Sequence, residues 1–263
     1  MEITNEHIDG GKAFDWGRTS ADYAKFRDIY PAEFYEKAAA LGIGTAGQRA
    51  LDIGTGTGVL PRNMYRCGAK WLGTDISENQ IAQARRLSAQ AGMDIEYAVS
   101  SAEGLDFPAE SFDVITACQC FWYFDHAVTA PLLARLLKSG GKLAFLEMEW
   151  LPYDDEIAGR SEELVLKYSP EWSGAGERVH NVELPAEYEG YFRTAYNEYF
   201  LLDVPFTREG WNGRMKSCRG IGASLPPEQI AAWEREHMEM LKKYAPESFT
   251  VKHFAAIAVM EKI

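Results

Sequence analysis

The stretch ALDIGTGTGVL, residues 50–60, runs from an apolar segment through a carboxylate into a loop of alternating glycines. Glycine lets the backbone turn sharply and approach a bound small molecule, because no Cβ stands in the way. The residues after Gly58 can open a helix, and the N-terminus of a helix is electropositive. The stretch therefore predicts a strand, a loop and a helix that bind a nucleotide at the start of a doubly wound α/β sheet.

The glycine spacing and one carboxylate argue against a dinucleotide ligand. The NAD fingerprint would place its third glycine at position 59, which is Val59. Asp52 stands just before the loop, where it would repel a pyrophosphate but attract a cationic ligand. S-adenosylmethionine carries a sulfonium and an ammonium and no phosphate. We therefore expect this cofactor, and a dehydrogenase is the least favoured alternative.

Further strands and helices alternate along the chain. Residues 70–77 predict a second strand ending at Asp75, about 20 residues after the loop, where such a fold places an acid on the ribose hydroxyls. Asp75 could instead cap a helix, but Ser77 is the better N-cap for a helix over 78–91. The other predicted strands are 95–99, a run within 111–125, 142–148, 196–204 and 250–261. The other predicted helices are 128–138, 155–168 and 227–244, and we expect Gly140 and Gly141 to stop the first of these three.

These motifs, in this order, resemble those of class I S-adenosylmethionine-dependent methyltransferases. The likeness is to the type 11 small-molecule group, and within it most nearly to the trans-aconitate-methyltransferase-like branch. The segments that carry it are 22–31, 51–60, Asp75, 101–103, 112–125 and 136–143. The resemblance implies a doubly wound, seven-stranded, mostly parallel Rossmann-like sheet with helical lid insertions.

The resemblance also implies which residues contact the cofactor. They are Tyr23, Arg27, Asp52, Gly54, Thr55, Gly56, Gly58, Asp75, Ile76, Ser101, Ala102, Glu103 and Gln119. Asp75 would bind the ribose, Ile76 would pack on the adenine, and Gln119 would approach the methionine moiety and the methyl group. Tyr23 and Arg27 would close over the cofactor, with the guanidinium a candidate partner for its carboxylate.

The residues that act on the methyl acceptor are less narrowly predicted. The candidates are Trp122, Tyr123, His126, His180, Trp211 and Arg214. His126 and His180 could be general bases or surface histidines. Trp211 could line the acceptor site or pack a lid, and Arg214 could bind a carboxylate or lie on a solvated helix face. The branch often has histidine where Trp122 stands, so no base is carried over to that position.

The cysteines do not predict a metal site. Cys118 and Cys120 could present two thiols on one face of a strand, which would suit soft-metal or arsenic chemistry. Cysteine is, however, a common buried residue in such strands. We therefore predict no metal.

Composition limits the partners. The chain has 27 basic and 39 acidic side chains and a net charge of −12, which disfavours a nucleic-acid partner. The longest apolar run, residues 114–124, is too short to span a bilayer, and residues 1–6 lack the features of a signal peptide. We expect a cytoplasmic monomer or homodimer without membrane insertion.

The domain and function predictions follow from these features. We expect one methyltransferase domain over 1–263, with an N-terminal lid at 1–30, a cofactor-binding core at 31–149, and substrate-side insertions at 150–194 and 205–250. The predicted reaction transfers a methyl group in line to a small-molecule acceptor, such as a carboxylate, and leaves S-adenosylhomocysteine. Two alternatives stay open: a C-methyltransferase of the quinone-biosynthesis type, and a non-catalytic S-adenosylmethionine-binding regulatory protein.

Overall fold

The computed structural model describes residues 3–6 and 8–263, so Met1, Glu2 and His7 of the predicted N-terminal lid lie outside the described residues. The strands within the described ranges are β1 (Arg49–Ile53), β2 (Lys70–Asp75), β3 (Glu96–Val99), β4 (Phe112–Cys118), β5 (Leu137–Trp150), β6 (Phe192–Thr207) and β7 (Ser248–Lys262). The α-helices there are α1 (Ser20–Phe26), α2 (Ala32–Ala40), α3 (Val59–Asn63), α4 (Glu78–Gln90), α5 (His126–Leu136), α6 (Glu156–Tyr168), α7 (Arg208–Lys216) and α8 (Pro227–Tyr244).

The described strands form one mixed, mostly parallel sheet of seven in the order β3-β2-β1-β4-β5-β7-β6. Strand β1 pairs in parallel with β2 on one side and with β4 on the other. The strand order reverses there, and in open α/β sheets ligands bind beyond the carboxyl ends of the strands at such a point. The predicted doubly wound architecture is confirmed, and the glycine loop begins directly after β1.

The chain divides into two compact units, which we call the first unit and the second unit. The first unit comprises Tyr30–Met148, His180–Phe200 and Ala255–Ile263. The second unit comprises Met1–Ile29, Glu149–Val179 and Leu201–Phe254. The glycine loop and Asp75 belong to the first unit.

The core of the first unit consists of apolar strand residues. Leu51, Ile115 and Phe145, on β1, β4 and β5, are fully buried, as expected of parallel strands covered on both faces. Burying each such side chain contributes about 1.5–3 kcal/mol of hydrophobic free energy. Phe121, just beyond β4, stacks on Phe145 with ring centroids 4.7 Å apart. This contact fixes the start of the loop that follows β4.

The second unit contains a buried polar chain between three helices. The Trp211 indole donates to Ser161 Oγ over 2.9 Å, and Nε2 of His237 lies 3.0 Å from the same oxygen. Nδ1 of His237 lies 2.8 Å from Asn212 Oδ1. Because Asn212 donates its amide hydrogen to Glu234, its oxygen must accept the proton on Nδ1. Burial lowers the pKa of His237 to about 3, so its ring is neutral.

Most predicted element bounds agree with the structure. Helix α8 spans the predicted residues, and Ser77, Asp155 and Thr207 cap α4, α6 and α7 through side-chain hydrogen bonds. No helix in the described ranges is both long enough and apolar enough to cross a membrane.

The boundary between α5 and β5 was predicted wrongly. The Asp125 side chain accepts from the amides of Ala127 and Val128, so α5 begins at His126 and ends at Leu136. Leu137 then pairs with Phe112, and a bulge follows before the regular ladder resumes. Gly140, with φ of 69°, therefore lies within β5 and does not stop the helix.

Candidate cofactor and acceptor site

The glycine loop adopts a conformation that only glycine tolerates easily. Gly54, Gly56 and Gly58 have φ values of 63°, 55° and 75°, in the left-handed region. A Cβ on Gly54 would lie 2.6 Å from Cys120 Sγ, and one on Gly58 would overlap the Tyr97 hydroxyl. The loop is therefore closely covered on the protein side.

Asp75 is tied to the middle of this loop. The Gly56 amide donates to Asp75 Oδ2 over 2.9 Å, and the Ser77 amide donates to Oδ1 over 2.8 Å. Each carboxylate oxygen can still accept another hydrogen bond. Burial raises the pKa of Asp75, against the lowering effect of the two amides. Ile76 follows with 38% of its surface exposed, so an apolar face stands open beside the carboxylate.

Asp52 lies beneath the loop. Its side chain is buried, and Oδ1 accepts from Thr116 Oγ1 over 2.6 Å. Burial raises the pKa of Asp52 to about 7, although hydrogen bonds from Thr116 and Thr55 oppose this shift and the nearby Asp75 carboxylate adds to it. Asp52 therefore links β1 to β4 at the base of the loop.

The loop after β3 contacts the loop after β4. Ser101 Oγ accepts from the Gly104 amide over 3.0 Å, and Ala102 is buried. Glu103 Oε1 accepts from the Asp125 amide over 3.0 Å. These contacts hold residues 101–103 against the start of α5.

Gln119 has the least relaxed backbone of the candidate site outside the glycines. Its φ is 63°, although it is not a glycine, and such a conformation costs about 1–3 kcal/mol. Its amide nitrogen Nε2 donates to the carbonyl of Met148 over 2.5 Å. Its oxygen Oε1 is buried, and no described residue donates to it. An unsatisfied buried acceptor costs about 1–3 kcal/mol, which a ligand N–H or O–H would relieve.

Four of the candidate acceptor residues also belong to the first unit. Trp122 is 37% exposed and packs beside Phe121 and Tyr123. Nδ1 of His126 lies 3.3 Å from the Tyr188 hydroxyl. Nδ1 of His180 lies 2.8 Å from its neighbouring carbonyl at position 181. Tyr188 gave no sequence signal, because it is isolated from every motif.

The other two acceptor candidates, Trp211 and Arg214, belong to the second unit, as do the cofactor candidates Tyr23 and Arg27. The Arg27 guanidinium lies 4.5 Å from the Tyr23 ring centroid. Trp211 is fully buried, and Arg214 is 3% exposed with its guanidinium 4.7 Å from the Trp150 ring centroid. Neither lies on a solvated surface. The predicted contacts of these four with cofactor or acceptor stay predictions.

The two cysteines at the end of β4 and just beyond it take part in packing. Cys120 Sγ donates to the carbonyl of Ile53 over 3.2 Å, and burial raises the pKa of its thiol. Cys118 Sγ lies 3.9 Å from the Tyr30 hydroxyl. Within residues 3–6 and 8–263, no group of three or more His, Cys, Asp or Glu is arranged to hold a metal.

The fold is Rossmann-like, and comparison with known proteins gives the class to which the chain belongs. The family described as "Methyltransferase domain" matches residues 51–145. The ubiquinone biosynthesis O-methyltransferase of Nitrosococcus oceani is 31% identical over 185 residues, covering 69% of this chain and 75% of that protein. The protein of the same name from Aromatoleum aromaticum is 30% identical over 191 residues, covering 70% and 77%.

Solved structures agree on the fold. The YcgJ protein from Bacillus subtilis has a TM-score of 0.52 and 18% identity, covering 87% of this chain and 98% of that one. The [4+2]-cyclase SpnF has a TM-score of 0.51 and 18% identity, covering 88% and 80%.

The chain belongs to the class I S-adenosylmethionine-dependent methyltransferases, in the type 11 group. It is a methyltransferase enzyme, and its cofactor is S-adenosylmethionine, as the sequence predicted. Membership of the trans-aconitate-like branch stays a prediction.

Proposed function

We propose that this enzyme transfers the methyl group of S-adenosylmethionine to a hydroxyl oxygen of a small molecule. The main support is the similarity to ubiquinone biosynthesis O-methyltransferases, which extends over about three quarters of the length of the two such proteins compared above. The exposed indole of Trp122, beside Tyr123, offers a flat apolar surface that suits an aromatic acceptor.

The residues of the first unit fit the cofactor. The glycine loop leaves room for backbone approach, Asp75 retains acceptor capacity for ribose hydroxyls, and exposed Ile76 suits the adenine. Gln119 Oε1 accepts no hydrogen bond from a described residue, and the ammonium group of the cofactor can donate one to it. When bound, the cofactor supplies a methyl carbon attached to positively charged sulfur.

The protein's main contribution to the reaction is orientation. Aligning an oxygen nucleophile with the methyl carbon can supply about 7–11 kcal/mol of the barrier. A hydroxyl acceptor must also lose its proton, whereas a carboxylate acceptor needs no base. The chemical nature of the acceptor therefore decides whether a base belongs to the site.

Other predictions remain part of this proposal. The net charge of −12 supports a small-molecule partner over a nucleic acid, and we propose a cytoplasmic monomer or homodimer. Residues 1–30 as a lid, and 150–194 and 205–250 as acceptor-side insertions, stay predictions. Slower proteolysis within residues 1–30 when S-adenosylhomocysteine is bound would support the lid, and unchanged cleavage would contradict it.

Two acceptor probes can test the proposal. The compound 3,4-dihydroxybenzoic acid offers hydroxyl oxygens, a carboxylate and ring carbons, and trans-aconitate offers carboxylates alone. With isotope-labelled methyl donor, NMR and mass spectrometry distinguish a methyl ether, a methyl ester and a ring-methylated product. We expect the ether. An ester would favour the carboxylate acceptor, and ring methylation the quinone-type C-methyltransferase. No product despite S-adenosylhomocysteine binding would exclude a catechol and a tricarboxylic acid as the acceptor and would refute the proposed acceptor class.

A further inference from the structure

His126 is held by a chain of hydrogen bonds whose directions can be assigned. Thr129 Oγ1 lies 3.0 Å from the carbonyl oxygen of Asp125, which can only accept, so the Thr129 hydroxyl donates there. The Tyr188 hydroxyl lies 3.0 Å from the same Oγ1. With the Thr129 proton directed at that carbonyl, the bond between the two hydroxyls takes its proton from Tyr188.

The same reasoning assigns the tautomer of His126. The single proton of the Tyr188 hydroxyl points to Thr129, so the phenol oxygen is left as an acceptor. Nδ1 of His126 lies 3.3 Å from this oxygen and must therefore carry the ring proton. The other ring nitrogen, Nε2, keeps its lone pair. The structure thus presents His126 in the tautomer that can accept a proton at Nε2.

The surroundings keep this imidazole neutral. Burial lowers the pKa of His126, while the acidic groups that face it, Asp125, Glu103 and Glu187, oppose the shift. The ring is half-buried, so it remains accessible. Burial also raises the pKa of Tyr188 to about 12, so its hydroxyl stays protonated and keeps donating to Thr129. A neutral histidine with a free lone pair at neutral pH is a competent base.

The chain lies beside the candidate cofactor site in the first unit. Glu103, which the resemblance places at the adenine edge, accepts from the amide of Asp125, the residue before His126. The charge of Glu103 also raises the pKa of the Tyr188 hydroxyl, and the Tyr188 ring packs edge-on against Phe145, on which Phe121 stacks at the start of the loop after β4. His126 is therefore connected through Asp125 to the loop after β3, and through Tyr188 to the residues beside the loop after β4.

We propose that Nε2 of His126 takes up the proton of the hydroxyl group that is methylated, and that Tyr188 and Thr129 are positioning residues that fix the tautomer of His126. The inference rests on the proposed O-methylation. The acceptor oxygen forms a bond to the methyl carbon while the carbon–sulfur bond breaks and its electron pair stays on sulfur. The hydroxyl proton passes to Nε2, and the resulting imidazolium returns it to water.

His180 is the competing base. Its Nδ1 lies 2.8 Å from the carbonyl oxygen of Asn181 and 3.5 Å from Glu147 Oε1. The shorter contact of His180 is to the next residue along the chain and its contact across the fold, to Glu147, is 3.5 Å long, whereas His126 lies 3.3 Å from Tyr188, a residue 62 positions away. The experiment must separate the two histidines.

The first measurement needs no acceptor. Long-range proton–nitrogen NMR spectra report which ring nitrogen of each histidine is protonated, and the chain has only five histidines. We expect His126 to show a protonated Nδ1, to titrate below the usual histidine pKa, and to become a tautomer mixture in Tyr188→Phe. The matched control is Tyr191→Phe, which removes the hydroxyl of an exposed tyrosine in the same segment. A protonated Nε2 in the wild type would overturn the assignment.

The second measurement follows kcat and KM against pH with 3,4-dihydroxybenzoic acid. We expect His126→Gln to lower kcat by about 100-fold or more and to abolish the acidic limb of the pH profile. Tyr188→Phe and Thr129→Val should lower kcat by about fivefold with little change in KM, and Thr129→Ser should restore it. Binding of S-adenosylhomocysteine should remain in all four variants, which shows that they fold.

The outcomes separate the two proposals. No methyl ether from the wild type would refute the proposed function and the base role with it, while the NMR assignment would stand or fall separately. A methyl ether with an acidic limb that persists in His126→Gln, or that vanishes in His180→Gln instead, would overturn the role of His126 alone. Loss of kcat in Tyr188→Phe with an unchanged His126 tautomer would overturn the positioning role.

Discussion

Replacing Gly54 by alanine tests how closely the protein covers the glycine loop. Two costs add at this position. A left-handed φ of 63° costs a non-glycine residue about 1–2 kcal/mol. The new Cβ would lie 2.6 Å from Cys120 Sγ and 2.9 Å from Cys120 Cβ. Such overpacking costs a further amount of about 1–3 kcal/mol. We expect Gly54→Ala to lower the free energy of unfolding by about 2–5 kcal/mol.

Gly92→Ala is the matched control. Gly92 has a φ of 65°, nearly that of Gly54, but nothing lies within 4 Å of a Cβ placed there. It should therefore lose only the conformational term of about 1–2 kcal/mol. Urea unfolding followed by circular dichroism gives both values, provided that the slope with denaturant is unchanged.

The difference between the two variants isolates the contact with Cys120. It should be about 1–3 kcal/mol, and calorimetry should show weaker S-adenosylhomocysteine binding in Gly54→Ala alone. Equal losses of stability in the two variants would refute the close packing of Cys120 against the loop. Unchanged binding in Gly54→Ala would refute the proposed contact between this glycine and the cofactor.

Three further outcomes are expected. Asp75→Ala should weaken S-adenosylhomocysteine binding by more than about tenfold with the fold intact, as one pKd unit corresponds to about 1.4 kcal/mol; an unchanged dissociation constant would remove the ribose assignment. Trp122→Ala should change turnover with little effect on cofactor affinity, and loss of cofactor binding would contradict its place on the acceptor side. The pKa of His237 is about 3 in the folded protein and 6.5 in the unfolded chain, so between these pH values the unfolded chain binds one more proton. The free energy of unfolding should therefore fall as pH drops from about 6.5 towards 3. His237→Gln should make this fall less steep, and an identical pH dependence would contradict the buried neutral imidazole.

The segment from β1 to α4 could be predicted from sequence because its signals are local. The glycines, Asp75 and the Ser77 cap lie within one strand–loop–helix–strand unit, and each has a backbone requirement that its residue type meets. Asp75 was expected to serve the ribose. Its bond to the Gly56 amide was not, because a bond across 19 residues depends on how two strands pair.

The contacts that complete the site could not be predicted because they join distant segments. Thr116 reaches Asp52 across 64 residues, and Tyr188 reaches His126 across 62. Thr116 lies within the segment 112–125 but has no role in its motif, and Tyr188 belongs to no motif. The error at Gly140 has the same origin, since a glycine with positive φ suits a helix end and a strand bulge equally well, and only pairing with β4 decides.

The buried chain of the second unit has a consequence for searches that compare side-chain constellations. Ser161, His237 and Asn212 lie in the order of a hydrolytic serine triad, with separations of 3.0 and 2.8 Å, but the Ser161 hydroxyl donates to the carbonyl of Ile157 over 2.7 Å. Ser161 and His237 have no exposed surface and Asn212 is 4% exposed, so no ester or amide bond can reach the hydroxyl. A fluorophosphonate, which labels reactive serines, should leave the folded protein unmodified. Accessibility, as much as distance, separates an enzyme's nucleophile from a structural hydroxyl.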